Sequence, residues 1–236
     1  MLAETLRSVR ARGLFALLSI VMTAQAETVR VDYTGIISVG TDTGGLLAAA
    51  GIQSGSTPLV GSFVYDTTQP PYSSLPTFEQ YPWSSSRIDI GTGFSASGEN
   101  GDVTIGNERD LGLGGVMDAF EHHQSATVVL GGTSGFTNST FFLLDRTTRN
   151  SFASTVLPTA QTLAGFQVDQ IFFRIDGNAQ GQRIWDMFGT NLSWSVTSIP
   201  EPNTLWLFGA GGLLMLGLAR SRNRSARGTQ ESSLKY

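Results

Sequence analysis

Cysteine is absent from this 236-residue sequence, and the stretch from Glu27 to Ile199 contains no lysine. The missing cysteine excludes a disulfide framework, a thiolate metal site and a cysteine nucleophile. Stability must then come from an apolar core, which the roughly 170 residues between the two chain ends are long enough to bury. Charged residues are scarce, at 14% of the chain. Between Glu27 and Ile199 there are 16 Asp/Glu against 7 Arg, a net −9, while both ends are basic. An acidic body excludes nucleic acid as the expected partner, because phosphate binding needs a basic surface. Sustained 3.6-residue periodicity is also scarce, and the abundance of Gly, Ser and Thr suits turns and short strands.

The ends carry most of the readable information. At the N-terminus, Arg7, Arg10 and Arg12 precede a short apolar run from Gly13 to Met22, and Ala24-Gln25-Ala26 follows. This is the three-part order of a secretory signal peptide, with Ala24 and Ala26 at the two positions that signal peptidase reads. The run is shorter than the ~20 residues a permanent span requires. Residues 1–26 are therefore expected to direct export through the secretion machinery, leaving a mature start at Glu27.

At the C-terminus, residues 203–219 are uncharged and rich in Leu, Gly, Trp and Phe, and Arg220, Arg222, Arg224 and Arg227 follow. Seventeen apolar residues are near the lower limit for a membrane helix. The arginines predict that its far end stays in the cytoplasm. Just before the run stands Pro200-Glu201-Pro202. Two prolines hold Glu201 extended, the backbone shape that proteases and transpeptidases accept. The order of Pro-Glu-Pro, apolar helix and arginine cluster resembles the PEP-CTERM sorting signal of Gram-negative bacteria. That resemblance implies recognition by an exosortase, a membrane-embedded cysteine transpeptidase. It also implies an exopolysaccharide-producing, biofilm-forming host. The expected course is an inner-membrane-anchored precursor followed by a cell-surface, outer-membrane or extracellular product. The sorting signal spans 198–227, and a polar tail occupies 228–236.

The body, residues 27–197, reads as strands. In TVRVDYTGI, Val29, Val31 and Tyr33 fall on one face and Arg30 and Asp32 on the other. GSFVYDTT, SRIDIG, DVTIG, ATVVLGG, STFFLLD, QIFFRID and WSVTS follow, separated by turn-forming residues. The expected fold is all-β, a single β-sandwich or jelly-roll-like domain. Short helices are expected near residues 44–50 and 116–122. The segment GSFVYDTTQPPY resembles a strand and turn found in many PEP-CTERM surface proteins, with Phe63 and Tyr65 on one side and Val64 on the other.

Candidate chemistry in the body is thin. His122 and His123 are the only histidines, and adjacent residues diverge on a strand or helix, so a shared metal is disfavoured and a solvated polar run is expected. No G-x-S-x-G elbow marks a serine hydrolase, and no spacing singles out two carboxylates for glycoside hydrolysis. Oxygen ligands with glycine gather in GENGDVTIGNERD and DGNAQG, making Asp102, Asp110 and Asp176 candidate calcium ligands. Neither stretch has EF-hand spacing, and turns require the same residue types. Tyr72, Tyr81 and Trp83 lie in a Pro-rich stretch and are candidates for stacking on a glycan.

The expected function is non-catalytic, with no cofactor beyond a calcium candidate. It is that of an exported surface or matrix protein associated with exopolysaccharide. A carbohydrate-binding module using the loop aromatics is the alternative, and a secreted hydrolase is a third.

Overall fold

In residues 28–33 the alternation of Val29, Val31 and Tyr33 with Arg30 and Asp32 gives one face that can leave water and one that stays in it. The same period-2 logic, repeated along the chain, builds a sheet. The computed structural model describes residues 27–199, except 84, 99–100, 112–114, 131–132 and 180–181. The chain divides into two units at the junction of Ile199 and Pro200, and every described residue belongs to the first.

The strands are β1 (Thr28–Asp42), β2 (Pro58–Asp66), β3 (Ser73–Leu75), β4 (Phe78–Pro82), β5 (Ser85–Ile90), β6 (Phe94–Gly98), β7 (Gly101–Asp110), β8 (Val116–Leu130), β9 (Thr133–Asp145), β10 (Gln170–Ala179) and β11 (Gln182–Ile199). Two short helices, α1 (Leu46–Ala49) and α2 (Ala160–Ala164), lie between strands. Thr159 caps α2 by accepting the Thr162 N–H at 3.1 Å.

The all-β class expected from the sequence is what forms. The strands make one antiparallel sheet in the order β3-β4-β7-β8-β9-β10-β11-β1-β2-β5-β6, rather than the two separate sheets of a sandwich or jelly roll. The cause lies in β1, which pairs with β11 on one side and β2 on the other, so the ladder never breaks. The sheet instead curls until its two halves meet. Tyr33 of β1 stacks on Phe141 of β9 at 4.5 Å, and Phe63 of β2 reaches Phe120 of β8 at 5.9 Å. Between the halves lie Val29, Val31, Phe63, Tyr65, Phe120, Phe141 and Phe173, all buried. The segment between β9 and β10 supplies Phe152, Leu157 and Phe166 to the same core.

One expected helix is absent. Residues 116–122 are the start of β8, not a helix. Met117 to His122 are buried without alternation, because β8 is covered on both faces. A strand covered twice loses the period-2 signal and can be mistaken for a helix turn.

Cross-strand pairs of glycine with a large aromatic recur. Gly61 sits opposite Tyr33, and Gly177 opposite Trp185. In each pair the ring folds down over the glycine, and a Cβ there would overlap it.

Candidate functional site

On β8, neighbouring side chains project to opposite faces. Phe120, His122 and Gln124 point between the two halves of the curled sheet, and Ala119, Glu121 and His123 point outward. The expected solvated run at Glu121-His122-His123 is therefore corrected: Glu121 is 3% exposed and His122 is 1% exposed. His122 is held flat against Phe63 with centroids 4.0 Å apart, and Trp83 lies at 5.6 Å.

The outward side carries the most developed polar arrangement. It begins at a bulge in β7, where the register with β8 shifts between Gly106 and Arg109. Glu108 in that bulge has φ 52°, a left-handed conformation that side-chain-bearing residues rarely adopt. The strain is held by Asp118, fully buried, which accepts the Glu108 N–H at 3.0 Å and the Phe152 N–H at 2.9 Å. A bulge re-aims the side chains beside it. Here it brings the Arg109 guanidinium over the Phe78 ring, 4.1 Å from the centroid, and onto Glu121 Oε1 at 2.7 Å. The second oxygen, Glu121 Oε2, meets His123 Nε2 at 3.0 Å, and His123 Nδ1 lies 3.3 Å from Thr140 Oγ1. A buried carboxylate with both oxygens engaged is fixed in one orientation.

This ion pair lies at the edge of a pocket of about 430 Å³. Its apolar walls are Phe142, Leu144, Phe172 and Leu111, and Gln170 adds an amide at the rim. Phe142 and Phe172 stand 5.8 Å apart, and Phe172 continues to Phe188 at 6.3 Å. A largely apolar wall with a few fixed polar groups is the usual make-up of a ligand pocket. The order carboxylate, imidazole, hydroxyl in Glu121, His123 and Thr140 has the sequence of groups used in nucleophilic catalysis. Thr140, however, lies inside β9, where pairing with β8 and β10 occupies the surrounding backbone N–H groups. They are committed to the ladders rather than aimed at an oxyanion.

A second depression, about 540 Å³, is lined by Ser85, Ser86, Ser97, Ser125 and Thr127, with Phe136 alongside. Ser86 Oγ bonds the side-chain oxygen of buried Gln124 at 2.5 Å behind it.

The candidates named from sequence fall apart in space. The glycan platform is corrected: Tyr81 and Trp83 are 3% and 6% exposed, and only Tyr72, at 60%, faces solvent. Tyr81 turns inward from β4 and bonds the Thr155 carbonyl at 3.1 Å, and the Trp83 indole donates to the His123 carbonyl at 3.1 Å. Buried polar tips need such partners, and an inward path supplies them. Tyr72 instead pairs with the Asp102 carboxylate. Asp102 also accepts from Thr104 Oγ1 at 2.9 Å, and Asp110 lies at the other end of the same strand, β7. Asp176, on β10, accepts from Asn178 Nδ2 at 2.8 Å. Among the described residues no group of three or more His, Asp or Glu is placed to hold a metal ion. The strand expected at residues 102–106 forms and is longer, β7 running from Gly101 to Asp110, so the turns weighed across residues 98–110 are strand there.

Arg109, Phe142, Gln170 and Phe172 were not singled out by sequence. A signal existed in the doublets Phe141-Phe142 and Phe172-Phe173, since consecutive strand residues face opposite ways and one ring of each doublet must point out. Phe141 and Phe173 are buried in the core, and Phe142 and Phe172 are half-buried on the outer face.

Ala24, Ala26, Pro200, Glu201, Pro202, Arg220, Arg222 and Arg224 lie outside the described residues, as does the expected helix at 203–219. For the C-terminal group, comparison with known families decides. The profile of the PEP-CTERM protein-sorting motif matches residues 198–224. This chain carries a PEP-CTERM sorting motif. The match takes in Pro200-Glu201-Pro202, the apolar run and Arg220, Arg222 and Arg224. A PEP-CTERM motif marks a protein for processing by an exosortase and for export toward the cell surface. No curated protein and no solved structure matches the chain.

Proposed function

We propose that the protein is a non-catalytic component of the cell surface or extracellular matrix that associates with the exopolysaccharide of a biofilm. In this reading residues 1–26 are removed by signal peptidase, and the apolar run holds the precursor in the inner membrane with its arginines inside. Exosortase then acts near Pro200-Glu201-Pro202 and frees the 27–197 body. The observation that carries the reading is the PEP-CTERM match at residues 198–224. Two properties of the body support it. It has no cysteine, so it needs no disulfide to hold its fold outside the cell. It also carries an outward pocket with an apolar wall and fixed polar groups.

The test is the intact mass of the protein made with and without the cognate exosortase, together with co-sedimentation of the product with the host's polymer. A mass that starts at Glu27 and loses everything after the Pro-Glu-Pro region only when exosortase is present, with co-sedimentation, is expected. A mass retaining the helix and arginines in both cases contradicts exosortase sorting. A processed product that stays in the supernatant contradicts association with the polymer.

A further inference from the structure

The pocket on the outer face of β7 to β10 has a definite chemical preference. Its charged groups are an ion pair, Arg109 on Glu121 at 2.7 Å. A cationic ligand would meet the guanidinium, and an anionic one would meet the carboxylate. Each would have to break a pair that is already partly desolvated. A neutral ligand avoids that cost, provided each of its polar groups can both donate and accept. Hydroxyl groups do so. Glu121 has lone pairs left over, Arg109 has N–H groups left over, and Gln170 uses its oxygen for Arg146 at 3.1 Å while its NH2 remains a donor. Facing these, Phe142 and Phe172 offer ring surfaces of the kind on which the C–H face of a sugar rests. The acidic body, net −9 between Glu27 and Ile199, repels a polyanion at longer range.

The site is also pre-organised. Strain at Glu108, the buried Asp118 anchor, the Phe78 ring under Arg109 and the His123 contact to Glu121 all fix the polar groups before any ligand arrives. A residue forced into a left-handed conformation at a bulge beside a pocket is a feature that function commonly explains. Pre-organisation raises affinity by lowering the ordering cost of binding.

We propose that this pocket, with the aromatic line from Phe142 through Phe172 to Phe188, binds a neutral oligosaccharide, one ring seated on Phe142 and Phe172 with its hydroxyls on Glu121, Arg109 and Gln170. The proposal rests on, and sharpens, the exopolysaccharide reading above. It moves the glycan contact from the buried Tyr81 and Trp83 to a different face.

The experiment uses the full chain as processed by its host. Neutral gluco-, manno- and galacto-configured hexasaccharides are titrated calorimetrically, with oligogalacturonate as the acidic control. At least one neutral probe is expected to bind, oligogalacturonate is not, and Phe172→Ala is expected to weaken binding by about tenfold or more. Gln170→Ala, at an exposed position, is expected to weaken it several-fold with an unchanged fold. No binding of any neutral probe at millimolar concentration overturns the proposal, as does binding of the acidic probe alone. Unchanged affinity in both variants also overturns it and directs attention to the serine-lined depression. Co-sedimentation with the host's own polymer separates the two levels. If that persists in both variants, the pocket assignment fails and the exopolysaccharide reading stands. If it is absent from the unaltered protein, the exopolysaccharide reading fails.

Discussion

The His122 imidazole lies on the Phe63 ring, centroids 4.0 Å apart and planes 4° from parallel. Burial, with a smaller contribution from His123, pushes its pKa down from 6.5 to about 3. The folded protein therefore keeps His122 neutral, while the unfolded chain takes up a proton below pH 6.5. The unfolded state binds more protons in that window, so stability rises with pH between about 3 and 6.5 and is lost on acidification. The slope is on the order of 1.4 kcal/mol per pH unit at most. Urea midpoints from pH 7 to 4.5 are expected to fall for the unaltered protein and to flatten in His122→Phe. Parallel curves for the two would contradict the assignment.

Asp118 holds two segments at once, the strained Glu108 and the backbone of Phe152. Asp118→Ala leaves both N–H groups without their acceptor and is expected to cost about 2–4 kcal/mol by chemical denaturation. Asp118→Asn keeps an oxygen for one of them and is expected to lose less. Equal stability of all three proteins would show that the bulge is held by other means.

Gly177 has no room for a side chain under Trp185. Gly177→Ala forces the indole or the β10 backbone to move and is expected to destabilise by about 1–3 kcal/mol. The tryptophan emission spectrum should shift as the indole is displaced. An unchanged spectrum and midpoint would mean that the pair is looser than its geometry.

In the proposed topology, sorting depends on charge at the cytoplasmic end of the C-terminal run. Replacing Arg220, Arg222 and Arg224 with Glu is expected to leave the precursor unprocessed or misplaced. The check is its mass and its distribution between membrane and medium in an exosortase-positive host. Normal processing would show that the arginines are dispensable.

Calcium is expected to leave the melting temperature unchanged. Asp102 and Asp176 already have protein partners, and Asp102 and Asp110 lie at opposite ends of β7. A ligand that binds only the folded state must raise the transition temperature. A rise on going from a chelator to millimolar calcium would reveal a site built from other residues.

The legible parts of the fold were the strands with one wet face. Val29, Val31 and Tyr33 point inward as their spacing implies, and Phe63 and Tyr65 are buried while Val64 is not. Two misses share one cause, burial that the local pattern does not announce, whereas the single sheet in place of a sandwich follows from β1 pairing on both sides. β8 is covered on both faces, so Met117 to His122 lost alternation and looked helical. Tyr81 and Trp83 stand among prolines and serines, and only the curl of the sheet turns them inward. The pocket was illegible for another reason. Arg109 and Glu121 are 12 residues apart, Phe142 and Phe172 come from two further strands, and register and a bulge alone unite them.

Strand β1 pairs with β11 from Thr28↔Ile199 to Asp42↔Trp185. Among the described residues the first strand to be made is thus zipped on one side by the last. Until β11 has been made, β1 can pair only with β2, and the ladder that joins β11 to β1 cannot form. Completion of the sheet is therefore timed by delivery of β11, the segment that leads directly into the sorting motif.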